Sequence, residues 1–218
     1  MNISFEHSIA PSATSFAEKL LTAEAVRLQP EQPFTWASGW HSPIYCDNRR
    51  LLSFPDIRTF VKDELAALVR TNFADADVVA GVATGAIAMG AMVADVLGLP
   101  FVYVRPKPKD HGMGNQIEGR LPENARVIVV EDLISTGGSS LKAVEALRKA
   151  GAQVEGMVAS FTYGFPVAQE AFQAAAVKLH TLSDYDHVLQ AAVKCGYITP
   201  DQQSVLAAWR QNPAEWGK

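Results

Sequence analysis

Val127-Ile128-Val129-Val130-Glu131-Asp132-Leu133-Ile134-Ser135-Thr136-Gly137-Gly138-Ser139-Ser140 passes from an apolar run through two acids to glycines and hydroxyls. Its first four residues are apolar and β-branched, the composition of a strand buried on both faces. Two acids stand at the end of that strand, a glycine pair supplies a turn, and hydroxyl residues open the next segment. Beyond it, Leu141, Val144, Leu147 and Ala150 recur at helical spacing and stop at Gly151, a residue suited to a helix C-terminus. The order is therefore buried strand, tight turn, helix, with the polar chemistry concentrated in the turn.

Working outward, residues 78–83 form a second β-branched run that opens into glycine and a helix, and residues 101–104 form a third. Further strands are expected at 155–161 and 177–182. Strands alternating with helices imply a parallel sheet with right-handed crossovers, and such sheets bind ligands outside the carboxyl ends of their strands. The ends of the chain read differently. Residues 13–28 read as helical, 34–54 are rich in Gly, Pro and aromatic residues, and 186–194 and 200–211 read as closing helices, with Trp209 and Trp216 as apolar anchors. The expected organisation is one α/β domain over 1–218, with a core of about 60–185 and a hood from about 1–55 plus the C-terminal helices.

Composition narrows the classes. The 218 residues are 48% hydrophobic and 19% charged, as in a globular enzyme rather than a disordered or fibrous chain. A net charge of −4 offers no general field for nucleic acid, so an anionic ligand needs a local cluster. Cys46 and Cys195 form neither a CxxC pair nor a metal set, which suits a reducing, cytoplasmic setting. The longest uncharged stretch, 78–94, is short for a membrane span and is broken by Gly81, Gly85 and Gly90, so no membrane association is expected. The start of the chain does not read as a signal peptide.

In the deciding stretch, free backbone N–H groups and Ser/Thr hydroxyls suit a phosphate monoester, and Gly137 and Gly138 let the backbone approach it. Two carboxylates would repel that phosphate, so they suit ribose hydroxyls, a divalent cation or a positive charge developing on a sugar. A GxxxxGK[ST] loop and a GxGxxG turn are both missing. A capped helix, with Ser139 or Ser140 as the cap, is the plain structural alternative. Between Val104 and Arg126 lies a Gly- and Pro-rich segment without an apolar face, which opens with Arg105, Lys107, Lys109 and His111. A long loop of this kind is usually functional, and its cations suit a departing pyrophosphate once the loop closes.

The stretch 127–140 resembles the phosphoribosyl diphosphate signature of type I phosphoribosyltransferases. The resemblance implies a parallel α/β core with a variable hood, Glu131 and Asp132 near the ribose hydroxyls, and Ser135, Thr136, Gly137, Gly138 and Ser139 around the 5′-phosphate, with Leu133 and Ile134 in the same binding segment. Residues 83–86, Thr84 among them, are expected to present N–H groups to the diphosphate. Lys109-Asp110-His111-Gly112, with 34–39 and Ser42-Pro43-Ile44-Tyr45 in the hood, is similar to orotate phosphoribosyltransferases. Asn115-Gln116-Ile117-Glu118-Gly119 and Asp47-Asn48-Arg49 resemble the bacterial subgroup.

This narrower likeness implies transfer of the phosphoribosyl group of 5-phosphoribosyl 1-diphosphate to orotate in pyrimidine synthesis. Arg105, Lys107, Lys109, His111 and Asp132 would be the catalytic set. Mg2+ would be held mainly by the diphosphate and ribose hydroxyls, with no dedicated protein ligands. A homodimer would share the basic loop between subunits. The chain departs from many members at Ala37, Gly85 and Pro106, where they carry lysine, and Lys107 is expected to stand in for the last. Their arginine for the orotate carboxylate falls near 161–164, where this chain has Phe161, Thr162, Tyr163 and Gly164; Tyr45 and Arg49 are the expected base-side residues, Arg49 as the replacement. The competing readings are a purine phosphoribosyltransferase, and a regulator that senses phosphoribosyl diphosphate while binding nucleic acid.

Overall fold

The computed structural model describes residues 7–35, 41–107, 115–213 and 215–216. In chain order the elements are β1 (His7–Ile9), α1 (Ala13–Thr22), β2 (Val26–Leu28), β3 (Phe34–Thr35), β4 (His41–Ser42), β5 (Ile44–Cys46), α2 (Pro55–Asn72), β6 (Val78–Val82), α3 (Ile87–Leu97), β7 (Phe101–Val104), β8 (Ile117–Glu118), β9 (Arg126–Ile134), α4 (Gly138–Lys149), β10 (Gln153–Thr162), α5 (Pro166–Ala174), β11 (Leu179–Asp184), α6 (Tyr185–Lys194) and α7 (Pro200–Gln211). A short 3-10 helix, Asn48–Ser53, joins β5 to α2.

Seven strands form one sheet in the order β1-β11-β10-β9-β6-β7-β8. Every neighbouring pair is parallel except β7–β8. Two further antiparallel pairs, β2–β5 and β3–β4, stand apart from it. The three central runs read from sequence are β6, β7 and β9, and their β-branched residues explain why. Alternate side chains of one strand enter two separate cores. Val79, Ile128, Val130, Val158 and Phe161 pack on the side of α1, α2, α3, α6 and α7, whereas Val78, Val127, Val129, Met157 and Ala159 pack on the side of α4 and α5. Burial on both faces is what selects continuous apolar strands over alternating ones.

The structure corrects several element readings. The helix expected over 13–28 ends at Thr22, and Val26–Leu28 is a strand. Glu24 adopts φ 50° and the Ala25 N–H returns to Leu20 O at 2.9 Å, so the helix closes on itself and releases the chain to pair with β5. The sheet is mixed rather than wholly parallel, because Ile117–Glu118, inside the segment read as structureless, turns back along β7. His7–Ile9, grouped with the hood in the sequence reading, is instead the edge strand of the main sheet. The strands expected at 155–161 and 177–182 run Gln153–Thr162 and Leu179–Asp184. Helix α7 spans the expected 200–211 and carries a Thr199/Gln202 capping box, with Trp209 fully buried and Trp216 packed at the margin of the same core.

Candidate active site

Parallel strands β6, β9 and β10 end side by side, and their carboxyl ends carry the residues singled out in the sequence. Strand β9 is nine residues long and delivers Glu131, Asp132, Leu133 and Ile134 to that edge. The turn Ser135–Thr136–Gly137 then leads into α4. Gly137 has φ 80°, a left-handed conformation that glycine adopts without cost, and a Cβ there would lie 2.9 Å from the Phe172 ring. Gly137 also occupies the N-cap, and no side chain caps the helix. The cap proposed for Ser139 or Ser140 is therefore not formed, and the N–H groups of the first turn of α4 have no side-chain acceptor. Such an end attracts an anion through both its donors and the helix dipole. Ser139, Gly138 and Thr136 are exposed there, with Ser135 partly so.

Ser140 points the other way. Its hydroxyl donates to Glu131 Oε2 at 2.8 Å, and the Asp132 N–H donates to Glu131 Oε1 at 2.9 Å. Glu131 is 4% exposed. Burial, reinforced by the neighbouring Asp132 charge, pushes its carboxyl well above the usual range. Asp132 is also raised by burial, but a hydrogen bond from Glu131 and the positive charge of Arg49 hold it down. Burial thus opposes charge on both acids, and Glu131, the deeper of the two, meets less to offset it. Asp132 packs against the turn after β6, where a Cβ added to Gly85 would lie 2.1 Å from Asp132 Oδ2. That turn contains an Ala83–Thr84 cis peptide, and Thr84 is exposed on it. The lysine that many related chains carry at the Gly85 position has no room here unless Asp132 moves.

Two residues outside the signature complete this side. Asn48 Nδ2 donates to Asp132 O at 2.5 Å, which ties the hood to the end of β9. Asn48 was visible only as the middle of Asp47-Asn48-Arg49, with no role attached. Arg49 is bridged to Asp47 at two points, Nε to Oδ1 at 2.6 Å and Nη2 to Oδ2 at 3.0 Å. Tyr45 is 36% exposed on β5. It lies over Arg27, whose guanidinium carbon is 5.4 Å from the Tyr45 ring and 5.5 Å from that of Phe34. Arg27 received no attention in the sequence, because a lone arginine between two apolar residues carries no motif.

The basic segment begins at Arg105, directly after β7. The Arg105 N–H donates to Gln116 O at 2.8 Å, and Gln116 Nε2 donates to Arg105 O at 3.0 Å, so the two ends of the loop are clasped. Arg105 Nη1 lies 3.7 Å from Glu118 Oε1. Lys107 is exposed. Lys109 and His111, and likewise Ala37, lie outside the described residues. Among the described residues no group of three His, Cys, Asp or Glu side chains converges as a metal site. The Glu131 and Asp132 carboxyl pair does fit a magnesium ion held mostly by substrate oxygens, since that ion retains water and asks few ligands of the protein. No helix among the described residues is long and apolar enough to cross a membrane.

A family model for the phosphoribosyl transferase domain matches residues 53–182. An orotate phosphoribosyltransferase of Porphyromonas gingivalis is 58% identical over 92% of this chain and 96% of its own length, and one of Phocaeicola vulgatus is 61% identical over 92% and 95%. The chain belongs to the orotate phosphoribosyltransferase family. Among solved structures, the orotate phosphoribosyltransferase of Aeropyrum pernix superposes with a TM-score of 0.73 at 33% identity, covering 84% of this chain and 99% of that one. A UMP synthase of Leishmania donovani gives 0.79 at 27% identity, covering 93% of this chain and 42% of that one. The fold is thus the type I phosphoribosyltransferase fold, and the match from 53 leaves the Arg27, Phe34 and Tyr45 side of the site to the part of an orotate phosphoribosyltransferase that the general domain model does not describe.

Proposed function

We propose that this chain transfers the phosphoribosyl group from 5-phosphoribosyl 1-diphosphate to N1 of orotate, giving orotidine 5′-phosphate and diphosphate, a step of pyrimidine nucleotide synthesis. The observation that carries the reading is the arrangement at the end of β9: a buried Glu131 held by the Ser140 hydroxyl and the Asp132 N–H, with Asp132 beside it, directly ahead of a helix start without a side-chain cap. The 5′-phosphate rests on the N–H groups and hydroxyls of 135–139. Asp132 faces the sugar, accepting from a ribose hydroxyl and stabilising the positive charge that grows on the anomeric carbon as its bond to diphosphate breaks. Glu131 acts through Asp132, fixing its backbone and sharing its charge burden.

Thr84 and the turn around it receive the diphosphate, and Arg105, Lys107, Lys109 and His111 neutralise it as it leaves. Magnesium bound with the diphosphate would spread the same charge, with Asp132 as the protein carboxylate within its reach. The site contains no activated nucleophile, and orotate's ring nitrogen needs no strong base, so catalysis rests on positioning and electrostatics. The active unit is a homodimer that shares the basic loop, working in the cytoplasm. A purified sample given magnesium, phosphoribosyl diphosphate and orotate should bleach the ultraviolet absorbance of orotate. Turnover of hypoxanthine in preference to orotate would instead assign the chain to purines.

A further inference from the structure

We propose that Asn48 is a positioning residue for the reaction, holding the backbone of Asp132 so that its carboxylate meets the ribose; this rests on the role given to Asp132 above. Strand β9 leaves its β6 neighbour just before Asp132. Among the described residues, the ladder with β6 ends at Gly81–Val130, and the ladder with β10 passes from Ala159–Glu131 to Phe161–Leu133 with no pair at Asp132. Side chains hold the Asp132 backbone instead. Its N–H donates to Glu131 Oε1 at 2.9 Å, and its carbonyl accepts from Asn48 Nδ2 at 2.5 Å. With the groups on both sides of the Cα fixed, so is the direction of the Cα–Cβ bond from which the carboxylate extends.

The hood makes this contact without depending on it for adhesion. Leu51, from the same 3-10 helix, and Ile44, on β5, are buried in the main core and fasten this part of the hood. Asp47 caps the 3-10 helix by accepting from the Arg49 N–H, and the Arg49 side chain grips Asp47 at two further points, so the turn that carries Asn48 is braced. The Asn48 amide satisfies both its ends in one orientation. Cys46 Sγ donates to Asn48 Oδ1 at 3.4 Å, and burial pushes the Cys46 thiol well up, which preserves it as a donor. The Nδ2 group must then face Asp132 O, since a carbonyl oxygen only accepts. Asn48 is itself buried, which limits competition from water. Misplacing a reacting group by about 1 Å can cost roughly 10²-fold in rate, and that is the leverage open to a residue that does not touch the substrate.

The test is steady-state kinetics of Asn48→Leu, which keeps the volume, and of Asn48→Ala, each alone and combined with Asp132→Asn, using orotate and uracil as acceptors. Uracil is orotate without the carboxylate. Either Asn48 substitution should lower kcat roughly 10- to 100-fold, by the same factor with both acceptors. The KM for phosphoribosyl diphosphate and for orotate should stay within about threefold, the pattern of an interaction that matters in the transition state. In the Asp132→Asn chain, where the carboxylate is already gone, the same substitutions should lower kcat by less than about threefold, because the two residues act as one unit. Circular dichroism melts give the folded fraction to which each rate is referred. Full turnover in both Asn48 variants, a loss explained by the folded fraction alone, a loss confined to orotate, or losses that multiply with that of Asp132→Asn would overturn the assignment. If the unsubstituted chain leaves orotate untouched, the reaction falls and this assignment with it, and that measurement, made first, separates the two failures.

Discussion

The two walls of the site are built on different principles. The wall proposed to take the sugar phosphate is one continuous piece of chain, β9, its turn and α4, in which backbone N–H groups are the main donors and Gly137 and Gly85 allow close approaches. The wall proposed to take the base is assembled from short separate strands that present side chains, with β2–β5 pairing bringing Arg27 to Tyr45. The basic loop resembles the second wall more than the first, since its described ends, Arg105 and Gln116, are clasped to each other beyond the end of β7. A fixed general chemistry is stored in local backbone, and the choice of acceptor in separable side chains.

That contrast can be broken from the loop side first. Lys109→Ala should lower kcat by roughly 10²- to 10³-fold, as when one preorganised donor is lost from a transition state, while melting temperature and the KM for either substrate shift little. A matching loss of thermal stability would show that the loop is part of the framework rather than an addition to it. The cradle should respond in the opposite way. Gly137→Ala forces a side chain into a left-handed backbone and toward Phe172, costing about 1–3 kcal/mol and lowering the melting temperature by several degrees. It should also weaken phosphoribosyl diphosphate binding without altering the orotate-to-uracil preference.

The smallest expected effect sharpens the division between the two acids. Glu131 has a raised pKa in the folded state, so its contribution to stability is fully present below about pH 4.3 and is lost as pH rises toward the folded value. Glu131→Gln removes that loss: Ser140 can turn its hydroxyl to accept from the amide, and the amide oxygen still accepts from the Asp132 N–H. Melting curves from pH 5 to 8 should show the variant gaining on the unsubstituted chain as pH rises, by roughly 2–4 °C for each ~1 kcal/mol of burial cost relieved. A constant difference across that range would mean that Glu131 is ionised in the folded chain.

How much of this was legible from the sequence follows from where each feature is stored. The strand, turn and helix over 127–150 could be read because apolar run, glycine turn and helical period lie consecutively, and the sheet class followed from repeating that pattern. The short strands β2 and β8 could not, since two or three residues hold no period and their identity comes from a partner elsewhere in the chain. As residues Glu131 and Asp132 are two carboxylates at a strand end, and only the family resemblance sets Asp132 apart in the catalytic set. Their difference arises from Ser140, nine residues on, and from the depth at which Glu131 is buried. Arg27 was invisible for the same reason as β2: its two rings meet it only once the hood is assembled.

The edge strand β1 has a consequence for how the chain is made. His7–Ile9 pairs with Leu179 to Thr181, so this strand must wait for a partner made much later in the chain. At a synthesis rate of about 5–20 residues per second that interval is on the order of 10–30 s, during which β1 lacks its sheet partner. Nascent chains of this enzyme should therefore be clients of whatever shields exposed segments at the ribosome, and release should precede activity by the time needed to seat that strand.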